Sequence, residues 1–351
     1  MYLYAGLQLV MAFTAAFFKG IRQRISKDSA RKWFCISCGL ILSLIVGLRN
    51  QTMGDMPGYI YGFELVSAAS FRQVLTMGVY NFERGFIIFN KLLSYICADS
   101  QILVLGCAML AIIPFAVWIY RKSAEPFLSF VLLVGMPSFL WVYSAMRQMS
   151  AIGICVFALE AVQDRKWKKF ILMVLVASLF HYSAIIFIIV YPVYWFRTGK
   201  AGRKLSIAVI LLVYAFRYPL FMILKHVLHK DSYTADSNNA IMLFLVYCAI
   251  YVFCTIFGRE DENQNGLLNV FFLACLTQAM GGVNMEVGRT TWYYAIPMVI
   301  LIPEIVSSYQ DVITKRTLYL GIWTCFALYS VVTFTGNNMI HNGTNYFFWM
   351  G

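Results

Sequence analysis

The feature that most constrains this chain is a succession of apolar runs, each close to the length that crosses a lipid bilayer. A transmembrane helix needs about 20 apolar residues, and runs of about this length recur along the whole sequence. The stretches between them have neither the length nor the apolar periodicity of an independent core. We therefore predict an all-α fold, a polytopic transmembrane helical bundle, with residues 1–351 as a single transmembrane domain.

The overall composition agrees with this interpretation. The chain is 61% hydrophobic and only 13% charged, whereas a soluble domain carries about 25% charged residues. The net charge of +12 would suggest a nucleic-acid partner in a soluble protein, but cytoplasmic loops of membrane proteins collect Lys and Arg. We therefore expect contact with membrane lipids and no nucleic-acid partner.

The basic clusters orient the predicted helices. They lie at 19–32, 121–122, 165–169, 197–204 and 315–316. All of them are placed on the cytoplasmic side, following the positive-inside rule. The resulting helices are 2–18, 33–48, 101–120, 127–145, 149–163, 205–224, 241–257, 267–286, 291–308 and 317–335. With two shorter segments, the bundle has about 11–12 membrane segments.

The two shorter segments have distinct patterns. Residues 49–100 are predicted to be extracytoplasmic, and the apolar piece 85–98 within them is short and contains Lys91, which predicts an interfacial helix. Residues 170–196 carry basic clusters at both ends, so a bend at His181 keeps both clusters inside. Each arm would be about 18–21 Å long. This predicts a short, re-entrant-like helical hairpin whose tip lies part-way across the bilayer.

On this topology, a small set of polar residues faces the outer side. They are Arg49, Asp55, Tyr59, Glu83, Arg84, Arg147, Gln148, His181, Glu286 and Arg289. Charged residues within a bilayer cost about 2.5–3.5 kcal/mol and are usually functional. Arginine grips phosphate oxygens in pairs, and a carboxylate or an imidazole can accept a proton from a hydroxyl. The set therefore suggests a site for a lipid-linked phosphate with a general base.

Each of these residues also has a plainer interpretation. Arg49 and Arg84 could be anchors that snorkel to the membrane surface, and Glu83 could pair with either of them. His181 could be a packing histidine. Arg147 favours function, because it lies in a tight turn between two long apolar runs.

The catalytic base has four candidates on the outer side: Asp55, Glu83, Glu286 and His181. We favour His181, because imidazole titrates near pH 6.5 and can be neutral and basic without a large pKa shift. Asp55 and Glu83 belong to a long segment, where they could instead bind sugar hydroxyls or hold arginines.

We expect neither a metal nor a cofactor. Cys35 and Cys38 form a single CxxC without a second pair of ligands, and His226 and His229 lack an evident third ligand.

Six short motifs carry a family resemblance, five of them before residue 200. They are Gly47-Leu48-Arg49, then Gly54-Asp55 with Tyr59, then Glu83-Arg84-Gly85-Phe86, Met146-Arg147-Gln148-Met149 and Phe180-His181-Tyr182-Ser183-Ala184. Arg289, followed by Tyr293 or Tyr294 and by Ile296-Pro297, completes the series. In this order and spacing, over roughly residues 30–310, the chain resembles the EpsG family of bacterial exopolysaccharide proteins, related to Wzy-type polysaccharide polymerases.

The resemblance implies a membrane glycosyltransferase that polymerises undecaprenyl-pyrophosphate-linked oligosaccharide into capsular or exopolysaccharide. It implies a multi-pass protein of the bacterial cytoplasmic membrane, with its active site on the extracytoplasmic side and with a flippase and a chain-length regulator as partners. Catalytic roles would fall to His181, Asp55 and Glu83. Pyrophosphate or sugar binding would fall to Arg49, Arg147, Gln148, Arg289, Tyr59, Arg84 and Tyr293.

Two other functions remain open at this point. A transporter or flippase of a lipid-linked saccharide would use the same arginines without chemistry. A membrane acyltransferase that modifies a polysaccharide would use His181 as its base and would need an acyl donor to enter from the inner side.

Overall fold

The computed structural model describes residues 2–20, 26–50, 55–227 and 240–336. Within these ranges the regular structure is helical, with no β-strand. The α-helices are α1 Tyr2–Gly20, α2 Lys27–Gly47, α3 Met56–Ala68, α4 Phe71–Val74, α5 Arg84–Ser94, α6 Gln101–Lys122, α7 Pro126–Gly135, α8 Met146–Gln163, α9 Trp167–Ser178, α10 Val190–Trp195, α11 Lys200–Ala215, α12 Arg217–Val227, α13 Ile241–Phe257, α14 Glu262–Gly281, α15 Met285–Tyr294, α16 Met298–Ser307 and α17 Val312–Gly336. Two 3₁₀ helices cover Pro137–Tyr143 and Tyr182–Ile189. The predicted all-α fold class is confirmed.

The helices fall into two compact units. The first unit contains α1 to α9 and α17, and the second contains α10 to α16.

The first unit is built around α6, which packs against α2 and α8. A Cβ added at Gly153 on α8 would lie 1.9 Å from the Leu110 carbonyl oxygen of α6, so only glycine permits this contact. Gly39 on α2 likewise permits close contact with Ala116 of α6. Small residues that let helix backbones approach closely are typical of helix packing in membranes, where the hydrophobic effect does not drive helices together.

Residues 55–100 contain more helix than the sequence analysis predicted. Besides α5, which corresponds to the predicted interfacial helix, the chain forms α3 and α4. A small apolar cluster of Val66, Val74, Val79 and Ile87 joins the three helices. The unusual Lys91 is also explained, because its Nζ donates to the Ser67 carbonyl oxygen near the end of α3 at 2.9 Å.

In the second unit, α14 packs against α10, α11, α13, α15 and α16. Polar side chains at its N-terminal half bind its neighbours. Asn263 accepts a hydrogen bond from the Tyr194 hydroxyl and donates one to Glu304. Asn269 donates to the carbonyl oxygens of Val193 and Phe196, which fixes the end of α10.

In the described part of the chain, α2 and α6 are each long and apolar enough to cross a membrane. Two pairs also qualify when joined: α7 with the 3₁₀ helix Pro137–Tyr143, bent by 68°, and α11 with α12, bent by 78°. The count by length and composition is thus two, or up to four if each bent pair is one span. The larger number of membrane segments expected from the sequence stays a prediction.

Several predicted helices are therefore interrupted in the structure. Predicted helix 127–145 bends at Met136, before Pro137, and predicted helix 291–308 breaks between α15 and α16, where Pro297 lies. Proline lacks a backbone N–H and restricts the preceding residue, so both breaks have a local cause. Predicted helix 205–224 bends at Phe216, between α11 and α12.

The predicted hairpin region also begins with a helix that ends early. α9 ends at Ser178, and the chain continues after His181 as the 3₁₀ helix Tyr182–Ile189. The hairpin itself stays a prediction.

The helix α5, in the segment where an interfacial helix was predicted, has 11 residues. At 1.5 Å per residue it is about 16 Å long, which is too short to cross a core of about 30 Å.

Candidate active site

Three residues that the sequence singled out meet in the first unit, around the carboxylate of Glu83. Arg147 Nη1 lies 2.7 Å from Glu83 Oε2, and His181 Nδ1 lies 3.0 Å from Glu83 Oε1. The backbone N–H of Tyr182 donates to the same Oε1 at 3.0 Å. The three side chains are 14% exposed at Glu83, 19% at Arg147 and 21% at His181, so the cluster is mostly buried and yet reachable.

Local sequence explains why Glu83 reaches His181. Glu83 is the N-cap residue of α5, and the next turn of this helix lies against the chain just after α9. Phe86 N–H donates to the Leu179 carbonyl oxygen at 3.1 Å. A Cβ at Gly85 would lie 2.6 Å from Leu179 Cβ and 2.9 Å from its carbonyl oxygen. The glycine therefore allows the close contact that brings Glu83 to His181.

Arg147 lies in the first turn of α8 and is held on several sides. Its Nη1 also donates to the Asn81 carbonyl oxygen at 2.6 Å. Its guanidinium carbon lies 4.9 Å from the ring centre of Phe82 and 5.9 Å from that of Tyr59. Planar guanidinium groups stack well on aromatic faces. The arginine is thus fixed in orientation beside the carboxylate.

The electrostatics of the cluster favour an ionised Glu83. Burial opposes ionisation, but the hydrogen bond with His181 and the charge of Arg147 outweigh it and hold the pKa of Glu83 below its usual range. An ionised carboxylate only accepts hydrogen bonds, so His181 Nδ1 must carry a proton. In neutral His181 this leaves Nε2 as a lone-pair acceptor, which is the form that a general base needs.

Comparison with known proteins adds one decisive finding. The sequence model described as the EpsG family matches residues 32–348, nearly the whole chain. The chain belongs to the EpsG family. Comparisons with curated proteins and with solved structures give no match.

Membership of the EpsG family fixes the general role of the chain. The family is a Wzy-type exopolysaccharide polymerase family, which indicates a polymerase role in polysaccharide biosynthesis for an integral membrane protein. It implies a lipid-linked oligosaccharide as substrate in a membrane context.

Two other candidates of this EpsG-family chain bind backbone carbonyl groups. Arg49 is fully buried and donates to the carbonyl oxygens of Val46 and Tyr143 at 2.6 and 2.8 Å. Arg84 donates to the carbonyl oxygens of Val74 and Met77 at 3.1 and 2.7 Å. The sequence left open a simple ion pair of Glu83 with Arg84 or Arg49. In the structure, Glu83 forms its ion pair with Arg147 instead.

Of the remaining candidates, Asp55 and Gln148 belong to the first unit, and Arg289 and Tyr293 belong to the second. Asp55 is exposed and precedes α3 without a side-chain capping bond, whereas Gln148 is buried on α8 next to Arg147. Arg289 and the fully buried Tyr293 lie on α15 of the second unit. Arg289 Nη1 lies 3.5 Å from Glu286 Oε1, one turn earlier on the same helix.

Three contributors to the cluster were missed at the sequence level: the Asn81 carbonyl group, the Phe82 ring and the Tyr182 N–H. Backbone groups leave no signal in a sequence, but Phe82 directly precedes the Glu83-Arg84 motif.

The described residues show no group of three or more His, Cys, Asp and Glu side chains placed to hold a metal ion. Cys35 and Cys38 are both buried on α2. His226 lies in the last turn of α12, and His229 lies outside the described residues.

Proposed function

We propose that this chain polymerises undecaprenyl-pyrophosphate-linked repeat units at the outer face of the bacterial cytoplasmic membrane, with His181 as the general base. The observation that carries the proposal is the contact between His181 Nδ1 and Glu83 Oε1 at 3.0 Å. It supports a proton on Nδ1, which in the neutral imidazole leaves Nε2 available to a substrate hydroxyl, with Glu83 as the group that sets the tautomer and orientation of His181.

The proposed step is a glycosyl transfer. The hydroxyl of the incoming lipid-linked unit attacks the anomeric carbon of the growing chain, and its proton passes to His181 Nε2. A new glycosidic C–O bond forms while the C–O bond to the pyrophosphate breaks. The bonding electrons leave with undecaprenyl pyrophosphate, so negative charge develops on the leaving group.

Fixed cations would stabilise this charge, and Arg147 and Arg289 are the proposed ligands of the pyrophosphate. Arg147 is already oriented by Asn81 and Glu83. Replacing either arginine by lysine keeps the charge and loses the two-pronged grip, so we expect each variant to polymerise at least about tenfold more slowly. Near-normal rates for both lysine variants would contradict a role in binding the pyrophosphate.

The outer-face placement rests on the distribution of basic residues. The clusters at 165–169 and 197–204 are proposed to be cytoplasmic, which leaves His181, between them in the sequence, directed toward the opposite side. Asp55, Gln148, Arg49, Arg84, Tyr59 and Tyr293 are proposed to bind or position the saccharide and its pyrophosphate.

The decisive experiment is reconstitution of the purified full-length protein with a lipid-linked repeat unit, scored for a ladder of longer glycans. The His181→Ala protein should bind the unit and lose activity by about 10²- to 10⁴-fold, the usual contribution of a general base. The matched control is His226→Ala, on α12 of the second unit, which should polymerise normally.

The other outcomes separate the rival functions. A wild-type ladder from His181→Ala or His181→Gln would exclude His181 as the base and direct the search to Asp55 or Glu83. Movement of the unit across a bilayer without any ladder would favour a transporter. Acylated glycan in the presence of an acyl donor would favour an acyltransferase.

A further inference from the structure

Four aromatic rings form a continuous surface that leads from the outside of the first unit to the Glu83 cluster. We call the rings of Tyr59, Tyr61, Tyr80 and Phe82 the aromatic surface. Consecutive ring centres are 6.0 Å apart from Tyr61 to Tyr80, 5.8 Å from Tyr80 to Phe82 and 5.5 Å from Phe82 to Tyr59. Phe82 and Tyr59 are the rings on which Arg147 stacks. The inner end of the surface is therefore part of the candidate active site.

The outer end of the surface is open. Tyr61 is 52% exposed and Tyr80 is 62% exposed, whereas Tyr59 is buried. Gly62 permits the Phe82 ring to pack against α3, because a Cβ at this position would lie 2.5 Å from that ring. The rings thus change from buried to exposed with increasing distance from Arg147.

The backbone holds Tyr80 in an unfavourable conformation. The turn Val79–Phe82 is closed by a 3.0 Å hydrogen bond from Phe82 N–H to the Val79 carbonyl oxygen. Within it Tyr80 has a φ of 45°, in the left-handed region that a bulky residue rarely adopts. Strain of this kind gathers at functional sites, where the surrounding structure enforces it. The chain therefore has a large aromatic residue at a position whose backbone conformation favours glycine.

The polar neighbours of the exposed rings indicate water and not lipid around them. Glu64 is exposed on α3, three residues after Tyr61 and so on the same helix face. Asn81, next to Tyr80, is exposed as well. A carboxylate within the lipid core is costly, so we place this surface outside the hydrocarbon core. Carboxylate and amide groups can hydrogen-bond the hydroxyls of a sugar.

We infer that the aromatic surface binds the saccharide part of the substrate and guides it to Glu83, Arg147 and His181. Sugar rings have apolar C–H faces that stack on aromatic rings and hydroxyl edges that suit the phenol, carboxylate and amide groups beside them. The inference rests on the proposed function for the role of the bound saccharide, and on the family alone for its chemical class.

The test uses the full-length protein in lipid nanodiscs and a defined probe. The probe is the set of short oligosaccharides released by partial hydrolysis of the exopolysaccharide that the source bacterium makes. Titration calorimetry should show binding about tenfold or more weaker for the double variant Tyr61→Ala with Tyr80→Ala, in line with the loss of buried aromatic contacts at a binding site. Tyr80→Phe keeps the ring and should bind within a few-fold of the wild type.

Two further variants keep the test interpretable. Tyr80→Gly removes the ring and relieves the backbone conformation, so weak binding by this variant cannot be ascribed to misfolding. Tyr95→Ala removes a ring of similar exposure (64%) at the other end of α5 and should change nothing. Wild-type affinity in the double variant and in Tyr80→Gly would overturn the inference.

A kinetic comparison separates this inference from the proposed function. The ring variants should raise KM for the lipid-linked unit with kcat nearly unchanged, whereas His181→Ala should lower kcat. Ring variants with a wild-type KM would overturn the aromatic surface and leave the polymerase proposal intact. Ring-dependent binding of the probe by a protein that forms no ladder would support the surface and contradict the polymerase proposal.

Discussion

At Glu83, one carboxylate holds both the proposed base and an arginine, so its charge matters more than its size. Glu83→Gln keeps the shape but turns an acceptor into a group that also donates, which removes the ion pair with Arg147 and no longer fixes the tautomer of His181. We expect a loss of activity of at least about tenfold, and up to about 10⁴-fold where such a carboxylate orients a histidine base. The unfolding free energy should fall by about 1–3 kcal/mol.

The control for this variant is another carboxylate of the first unit. Glu125 pairs with Lys315 at 2.8 Å, but its side chain is 30% exposed. Exposed ion pairs contribute about 0–1 kcal/mol, so Glu125→Gln should leave both stability and the glycan ladder nearly unchanged. Equal effects of the two substitutions would show that Glu83 acts only as a surface charge.

The pH dependence of the protein's stability should also reflect the ionised state of Glu83. The pKa of Glu83 lies below the ordinary value of 4.5, so its ionised form stabilises the folded protein above that pH. This stabilisation should be lost only as the pH falls through the lowered pKa. Thermal unfolding midpoints of the wild type and of Glu83→Gln in detergent should differ at pH 7 and converge only below about pH 4.5. Convergence well above pH 4.5 would contradict the lowered pKa.

Between α5 and the end of α9, the decisive feature is the absence of a side chain at Gly85. Gly85→Ala places a Cβ against the backbone of Leu179, which cannot move aside as a flexible side chain would. We expect the bond from Phe86 N–H to Leu179 to weaken and Glu83 to withdraw from His181 and Tyr182. Overpacking of this kind costs about 1–3 kcal/mol, and polymerisation should fall by at least about tenfold.

Gly321 provides the matched substitution. It is exposed on α17, and a Cβ there would meet nothing within 4 Å. Gly321→Ala should leave activity unchanged and leave stability unchanged or slightly raised, because alanine favours helix over glycine. Full activity in Gly85→Ala would mean that the α5–α9 contact does not position Glu83.

The helices show what the sequence could and could not predict. The long apolar runs of α2 and α6 were predictable, because hydrophobicity and length alone define them. α3 was missed, although Pro57 in its first turn and the spacing of Tyr59, Phe63 and Val66 are typical of an amphipathic helix. The bend at Phe216 was not predictable, because hydropathy does not distinguish a straight helix from a bent one.

In the candidate site, residue types were predictable and their pairing was not. Glu83, Arg147 and His181 stood out because charges are rare in so apolar a chain. Their meeting depends on contacts between segments far apart in sequence, such as Phe86 with Leu179. Arg49 stood out for the same reason as Arg147, yet it binds the carbonyl oxygens of Val46 and Tyr143. A sequence does not reveal whether an arginine will meet a carboxylate or a carbonyl group.

The orientation of the chain in the membrane decides on which side the proposed active site lies. Lys168 on α9 and Lys200 on α11 belong to the two basic clusters that flank His181 in sequence, and both are exposed. Because basic loops stay in the cytoplasm, single Lys168→Cys and Lys200→Cys proteins should resist a membrane-impermeant thiol reagent in intact cells and react after permeabilisation.

For this labelling experiment, the exposed native Cys97 and Cys325 are first replaced by serine. Restoring Cys97 alone supplies the external control, since residues 49–100 are predicted to lie outside. Labelling of Lys200→Cys from outside, with Lys168→Cys protected, would mean that residues 170–196 cross the membrane once. The predicted topology after residue 196 would then be inverted, with Arg289 on the cytoplasmic side, where it could not serve an external site.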